Sequence, residues 1–281
     1  MFFAYRADIP IENICIFVYN SLDKEIIVNA ISREEETMGK VIIIASGKGG
    51  TGKTTATAAI SSCLALSGKT VLCIDADAGL KNLDLCLGLA DKAVFDFGDV
   101  ISGRCGLDAA VIPHPQLPRL FFLTAPVDPM TSEREATGLT NLIRFAKDIF
   151  DYCIIDCPAG LGYGFTAAAA AADCALIVSA SDPSSRRDSG RVVMELQEMG
   201  INDIRLMVNR VRRSILSRTK QTIDDSVDSI GARLIGIVPE DKQVILSSMA
   251  QQPLALAKES SAFSAFDRIA RRIEGERVPI V

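Results

Sequence analysis

Short apolar segments alternate with longer segments of helical spacing from residue 40 onward. The short segments predict strands, because strands of a sheet covered on both faces are almost uniformly apolar. They span residues 41–45, 71–74, 120–123, 152–155, 175–178, 204–208 and 234–238. Strands that alternate with helices favour parallel order. We therefore expect a single α/β domain, with a doubly wound, mostly parallel sheet of about seven strands and helices on both faces.

Three local signals predict where helices begin or end. Gly68 follows the helical segment 54–66 and is a typical C-terminal stop. The capping box formed by Ser132 and Glu135 predicts a helix over residues 133–150. A similar spacing of Ser185 and Asp188 predicts another helix start.

The first 37 residues lack the alternation that follows them. A second methionine, Met38, stands directly before the first predicted strand. Two interpretations stay open: translation starts at Met38, or residues 1–37 form an N-terminal extension that is disordered or has a role of its own. The α/β domain is expected over residues 38–281 in either case.

Composition narrows the class of protein. Apolar residues make up 48% of the chain and charged residues 23%, which is typical of a globular protein. The net charge of −5 argues against a protein that coats nucleic acid through bulk positive charge. The longest apolar runs, such as residues 14–19, span about six residues, whereas a membrane-spanning helix needs roughly 20. No signal-peptide pattern opens the sequence, so we expect a cytoplasmic protein.

The cysteine and histidine residues indicate neither a disulfide scaffold, nor a metal site, nor a catalytic triad. Eight cysteines in 281 residues do not predict a disulfide scaffold, and Cys153 and Cys157 lack the spacing of a metal site. The single histidine, His114, lies between Pro113 and Pro115 in a predicted loop. A catalytic triad is therefore not expected.

The strongest chemical signal is a glycine-rich loop between the first strand and the first helix. Residues 47–54, Gly-Lys-Gly-Gly-Thr-Gly-Lys-Thr, match the phosphate-loop pattern in full. Glycines let successive backbone N–H groups point at phosphate oxygens, and the helix that follows adds its positive end. Lys53 should reach the β- and γ-phosphates, and the Thr54 hydroxyl should ligate Mg²⁺. The predicted nucleotide contacts of the loop are Gly47, Lys48, Gly49, Gly50, Thr51, Gly52, Lys53, Thr54 and Thr55.

A second lysine in the loop carries a family resemblance. Lys48 is not required by an ordinary phosphate loop, and Gly-Lys-Gly-Gly-x-Gly-Lys-Thr resembles the deviant Walker A motif of the MinD/ParA ATPases. In that family the corresponding lysine reaches across a dimer to the partner's nucleotide. The resemblance therefore implies ATP and Mg²⁺ as cofactors, an ATP-dependent homodimer and slow, partner-stimulated hydrolysis.

Other strand ends agree with this family. The stretch from Asp75 to Asp84 resembles its switch I, in which Asp77 would orient the attacking water and Asn82 would make dimer contacts. Asp156-Cys-Pro-Ala-Gly160 resembles Walker B and switch II, in which Gly160 would lend an N–H to the γ-phosphate. The catalytic set implied is Lys48, Lys53, Asp77 and Asp156, and the Mg²⁺ set is Thr54, Asp75 and Asp156. The adenine contacts implied are Asn209, Arg210, Pro239, Glu240 and Asp241.

Within this family the chain resembles the MinD branch of septum-site-determining ATPases. The resemblance lies in residues 79–84, 184–191 and 237–241. It implies a MinC-like division inhibitor as cargo, a MinE-like activator and a place on the inner face of the membrane. Members of the branch usually end in an amphipathic anchor helix, whereas Phe263, Phe266, Ile269 and Ile273 favour a last core helix here.

A run of basic residues leaves alternatives open. Between Asp203 and Asp224 it contains no acid and includes Arg205, Arg210, Arg212, Arg213, Arg218 and Lys220. Such a run is most often a solvated face. It would otherwise contact anionic lipid, a partner, or nucleic acid as in ParA-like partition ATPases. A soluble ATP-dependent regulator that does not bind membrane is the remaining alternative.

Overall fold

The computed structural model describes residues 38–78, 81–212, 214, 218, 222–257 and 259–280. Residues 1–37 lie outside this set, as do Arg213 and Lys220. The strands are β1 Lys40–Ala45, β2 Val71–Asp75, β3 Ile112–Pro113, β4 Leu120–Leu123, β5 Tyr152–Asp156, β6 Cys174–Ala180, β7 Ile204–Val211 and β8 Arg233–Pro239. They form one sheet in the order β3-β4-β2-β5-β1-β6-β7-β8. All pairs are parallel except β3 with β4.

Helices connect the strands. They are α1 Lys53–Leu66, α2 Leu83–Leu87, α3 Phe97–Ile101, α4 Leu107–Ala110, α5 Glu133–Ile149, α6 Tyr163–Ala171, α7 Pro183–Glu198, α8 Ile223–Ile230, α9 Lys242–Met249 and α10 Ser261–Ile273, with a 3₁₀ turn at Leu254–Leu256. The doubly wound fold and the seven predicted strands are confirmed. The eighth strand, β3, is a two-residue edge strand that is too short for a sequence pattern to show.

Successive residues of a strand point alternately into two separate apolar layers, one on each face of the sheet. Val41 and Ile43 of β1 point into a layer with α5, α6 and α7, whereas Ile42 and Ile44 point into one with α1 and α10. This two-sided burial explains why the strands are continuously apolar. The site residues therefore stand on a sheet that is fixed from both faces.

Two of the three helix signals are confirmed. The Ser132 hydroxyl accepts the Glu135 N–H, and the Glu135 carboxylate accepts the Ser132 N–H at the start of α5. Gly68 follows α1 with a left-handed φ of 96°. The predicted start at Ser185 is wrong. Helix α7 begins at Pro183, because Asp182 caps it by accepting the Ser185 N–H and proline suits the first helical position.

The C-terminal helix α10 is part of the core, as the spacing of its apolar residues predicts. Phe266 and Ile269 are buried and pack in the same layer as α1. Ile269 lies so close to β8 that a Cβ on Gly236 would stand 2.4 Å from its Cγ1. Among the described residues, no helix is both long enough and apolar enough to cross a bilayer.

Candidate nucleotide site

The phosphate loop lies between β1 and α1, at the carboxyl edge of the sheet. Gly50 and Gly52 take left-handed φ values of 78° and 96°, which L-residues adopt only at a cost. Gly47 is needed for another reason: a Cβ there would stand 2.1 Å from the backbone carbonyl carbon of Asp188 in α7. The loop is therefore packed directly on α7.

The end of β7 braces the loop from the other side. The Asn209 side-chain amide donates to the Thr51 carbonyl at 2.8 Å, and a Cβ on Gly52 would stand 2.4 Å from that amide nitrogen. Arg210, with a left-handed φ of 56°, donates to the Gly50 carbonyl at 3.2 Å. Asn209 and Arg210 thus hold the shape of the loop, a role that the sequence did not indicate.

The two lysines of the loop have different surroundings. Lys53 is buried at the start of α1, whereas Lys48 is exposed. The Lys48 ammonium donates to Ser184 Oγ at 3.1 Å, and Ser184 donates to Asp182 at 2.7 Å. The Ser184 bond and, more weakly, the charge of Lys48 hold the pKa of Asp182 below its ordinary value. Lys48 is thereby placed against the first turn of α7 in its own chain.

Two buried carboxylates face the loop from neighbouring strands. Asp75 and Asp156 are register partners at the ends of β2 and β5, and both are almost completely buried. Burial, and then the charge of Asp156, raises the pKa of Asp75 to about 7. Burial raises the pKa of Asp156 to about 6, against hydrogen bonds from Thr54 and Thr57 and the charge of Lys53. Either carboxylate would ionise more readily beside a cation.

The donors available fit Mg²⁺ held together with a nucleotide. Among the described residues no cluster of three or more His, Cys, Asp or Glu could hold a metal. Mg²⁺ prefers one or two protein oxygens completed by phosphates and water, and Thr54 and Asp156 supply such oxygens. Both oxygens of Asp75 accept N–H groups, from Asp77 at 2.9 Å and Leu83 at 3.3 Å. Asp75 therefore also anchors Asp77 and the first residue of α2.

Lys53 and Thr54 border a cleft of about 530 Å³. Its lining includes many of the predicted contacts, namely Gly49, Gly50, Gly52, Lys53, Thr54, Thr55, Asp77, Asn82, Asn209, Arg210, Pro239, Glu240 and Asp241. Gly47, Lys48, Thr51, Asp75, Asp156 and Gly160 do not line it. Burial raises the pKa of Asp77, against the charge of Lys53.

The cleft has an apolar wall that the sequence did not indicate. It includes Val238 of β8, Phe266 of α10, and Val244, Ile245 and Met249 of α9. Ile245 and Met249 are 62% and 79% exposed, which is unusual for such side chains on a short helix. The signal that could have found them is the apolar group Val244-Ile245-Leu246, which follows Pro239-Glu240-Asp241 after two polar residues.

Asp241 has a structural role as well. One carboxylate oxygen accepts the Gln243 N–H and the other accepts bonds from Ser260, Ser261 and Ala262, which joins α9 to α10. Burial opposes ionisation, but these four donors outweigh it and lower the pKa of Asp241 to about 2.

Three of the described arginines in the basic run form ion pairs with carboxylates. Arg205 pairs with Asp203 at 2.8 Å, and Arg212 pairs with Glu240, which also lies 3.8 Å from Arg210. These contacts favour a structural use of the three arginines over a free basic surface.

Comparison with known proteins shows which family the chain belongs to. A family model described as AAA domain matches residues 39–199. The septum site-determining protein MinD of Synechocystis sp. is 40% identical over 246 residues, which are 87% of this chain and 92% of that protein. The chain belongs to the MinD family. As a member it is an ATP hydrolase of the septum-site-determining class, with ATP and Mg²⁺ as cofactors.

Solved MinD structures share the fold. The MinC:MinD cell division protein complex of Aquifex aeolicus matches with a TM-score of 0.79 and 37% identity, over 86% of this chain and 98% of that chain. MinD complexed with Mg-ADP from Pyrococcus horikoshii OT3 matches with a TM-score of 0.75 and 30% identity, over 84% and 96%. The sequence resemblance to the MinD branch is confirmed.

Proposed function

We propose that this MinD-family chain is a switch that dimerises in the ATP state, recruits a division inhibitor and separates after hydrolysis. The observation that carries the proposal is the contrast between Lys53 and Lys48 in one loop. Lys53 is buried where its own nucleotide would lie, whereas Lys48 is exposed and bonded only weakly at its tip. A charged side chain in that position is available to a neighbouring molecule.

Nucleotide binding would use the whole cleft. The loop amides and Lys53 would hold the phosphates, and Thr54 and Asp156 would hold Mg²⁺, which neutralises phosphate charge when bound. The apolar wall formed by Val244, Ile245 and Met249 would cover the base. Gly160, at the end of the β5 segment, would add an N–H to the γ-phosphate, as the family resemblance implies.

Hydrolysis would depend on Asp77. Asp77 lines the cleft with Lys53 and is half-buried, so its carboxylate can accept a hydrogen bond from a water molecule that enters in line with the phosphate. Asn82 lines the same cleft and is exposed, which suits a contact with a second copy.

Partners follow from the relatives. MinD of Aquifex aeolicus forms a complex with MinC, and at 37% identity we extend a MinC-like inhibitor to this chain. A MinE-like activator and peripheral contact with the inner face of the cell membrane follow from the family resemblance. We place the protein in the cytoplasm between these contacts. ParA-like partition receives less support, because the relatives described above, at 30% identity or more, are named MinD and described basic residues such as Arg205 and Arg212 are ion-paired.

Light scattering with and without Mg-ATP tests the proposal. The wild-type chain should be a dimer in Mg-ATP and a monomer in Mg-ADP. Lys48→Ala should bind ATP and stay monomeric, and Lys53→Ala should lose ATP binding. Lys92→Ala, which removes an exposed lysine outside the cleft, should behave as wild type. A dimer of Lys48→Ala in Mg-ATP would refute the cross-interface role.

Liposome sedimentation tests membrane contact separately. Chains starting at Met1 and at Met38 should both pellet with anionic vesicles in Mg-ATP and stay in solution in Mg-ADP. Pelleting of the longer chain alone would assign the contact to residues 1–37. Absence of pelleting would remove the membrane from the proposal and leave the ATP switch intact.

A further inference from the structure

The single histidine of the chain is buried at the edge of the sheet, away from the cleft lining. His114 is 3% exposed and follows β3. Its Nδ1 accepts the N–H groups of Gln116 and Leu117, both at 3.1 Å. Two donors at Nδ1 place the ring proton on Nε2, which donates to the Leu87 carbonyl at 2.8 Å. Both ring nitrogens of His114 therefore have hydrogen-bond partners.

The loop that carries His114 is stiff. Three prolines, Pro113, Pro115 and Pro118, fix its backbone, and the His114 N–H donates to the Leu120 carbonyl at 2.9 Å. The ring is therefore held at a fixed place relative to the sheet.

The acceptor of His114 ends the short helix α2. A helix of five residues is too short to be stable without outside contacts, and its last carbonyls have no partner within the helix. His114 satisfies the Leu87 carbonyl at the C-terminal end. At the other end, the Leu83 N–H donates to the buried carboxylate of Asp75. Helix α2 is thus held between the sheet edge and the phosphate site.

The residues beside α2 belong to the site. Asn82 directly precedes the helix and lines the cleft, as does Cys86 within it. Five residues of helix span about 7.5 Å, so Leu87 lies close to Asn82 and to the start of α2. The Leu83 N–H and the Asp77 N–H donate to the same Asp75 carboxylate, which connects α2 to the residue proposed to orient water. A misplacement of about 1 Å that originates away from the reacting atoms can reduce turnover about 100-fold.

We propose that His114 is a positioning residue for ATP hydrolysis, which holds α2 so that Asn82 and, through the shared contact with Asp75, Asp77 are placed for turnover. The inference rests on the proposed function, since it concerns the same cleft. His114 itself does not line the cleft.

Two substitutions of His114 test the hydrogen bonds at Nδ1 and at Nε2 separately. His114→Asn keeps an acceptor near the Nδ1 position but is too short to reach Leu87. His114→Gln carries a donor that reaches the Nε2 position. We expect kcat to fall at least about tenfold in His114→Asn, with the dissociation constant for ATP within about twofold of wild type, and to be largely restored in His114→Gln. Equal kcat in the two variants, whether high or low, would overturn the proposal.

Two further readouts do not depend on turnover. Hydrogen exchange should show faster exchange at the amides of Cys86, Gly88 and Leu89 in His114→Asn than in His114→Gln. Histidine-selective ¹⁵N labelling of a tag-free chain gives the resonances of one imidazole, and its Nε2–H signal should shift between Mg-ADP and a non-hydrolysable Mg-ATP analogue. An unchanged signal and equal exchange would overturn the inference. Loss of ATP hydrolysis in the wild-type chain would instead refute the proposed function, and these two readouts would still test the hold on α2.

Discussion

The ammonium of Lys48 lies 3.1 Å from Ser184 Oγ, at the first turn of α7 in the same chain. The residue expected to reach a partner's nucleotide is thus bonded to its own helix, in a short chain of hydrogen bonds that ends at Asp182. In the proposed dimer, Lys48 would have to leave Ser184 to reach the partner's nucleotide. The Lys48–Ser184 bond would then lower the affinity of that dimer by the free energy of one exposed, charge-assisted bond.

Removal of the Ser184 hydroxyl should strengthen the ATP-state dimer. An exposed bond of this kind stabilises by less than about 1 kcal/mol, so Ser184→Ala should lower the dimer dissociation constant by about two- to fivefold. Sedimentation equilibrium in a non-hydrolysable Mg-ATP analogue measures this constant. In a Lys48→Ala background, which is expected to stay monomeric, the same change should not restore a dimer. A weaker dimer of Ser184→Ala would show that Ser184 contacts the partner instead.

Asp77 should matter for turnover and not for binding. Asp77→Ala removes the carboxylate that orients water, while the loop and Lys53 stay in place. We expect phosphate release to fall about 100-fold, with ATP affinity and dimerisation close to wild type. Asp128→Ala, which removes an exposed carboxylate outside the cleft lining, is the matched control. Normal turnover of Asp77→Ala would assign the water to another group.

The sequence predicts those features that depend on residues close together along the chain. The strands and the phosphate loop depend on neighbouring residues, so the pattern of residues 41–54 was sufficient to place Lys53 and Thr54. The Ser185-x-x-Asp188 spacing predicts the wrong cap for α7, because Asp182-Pro183, three residues earlier, is the signal that the structure uses. Contacts between segments that are far apart in the sequence produce no local pattern that could predict them. The Lys48–Ser184 bond joins residues 136 positions apart, and the bond from Asn209 to Thr51 joins residues 158 apart.

The carboxylate of Asp241 should make stability depend on pH in the acid range. Its pKa is lowered from an ordinary 3.8 to about 2. A lowered carboxyl pKa contributes stability that is present above pH 4 and is lost as the pH falls toward 2. Allowing for partial exposure, we expect Asp241→Asn to cost about 1–2 kcal/mol in urea unfolding at pH 7. The difference from wild type should shrink steadily below pH 4.

Asp128→Asn provides the control for this titration. It removes an exposed carboxylate for which the structure gives no such set of donors, so its difference from wild type should stay small at all these pH values. A constant difference for Asp241→Asn between pH 7 and pH 3 would show that the hydrogen bonds survive loss of the charge.

The apolar wall of α9 should contribute to the recognition of the base. Ile245 lines the cleft, whereas its neighbour Leu246 is similarly exposed and does not line it. A base that covers part of Ile245 buries apolar area worth about 1 kcal/mol. Ile245→Ala should therefore weaken ATP binding about fivefold, and Leu246→Ala should leave it unchanged.

Inorganic triphosphate separates the base from the phosphates, because it engages the loop and lacks adenine. Calorimetry should show the same triphosphate affinity for wild type, Ile245→Ala and Leu246→Ala, with a loss confined to ATP binding by Ile245→Ala. If Ile245→Ala weakened both ligands equally, the substitution would act through the shape of the phosphate loop. If it weakened neither, the base would lie away from α9, against the strand-end residues Asn209 and Pro239 that also line the cleft.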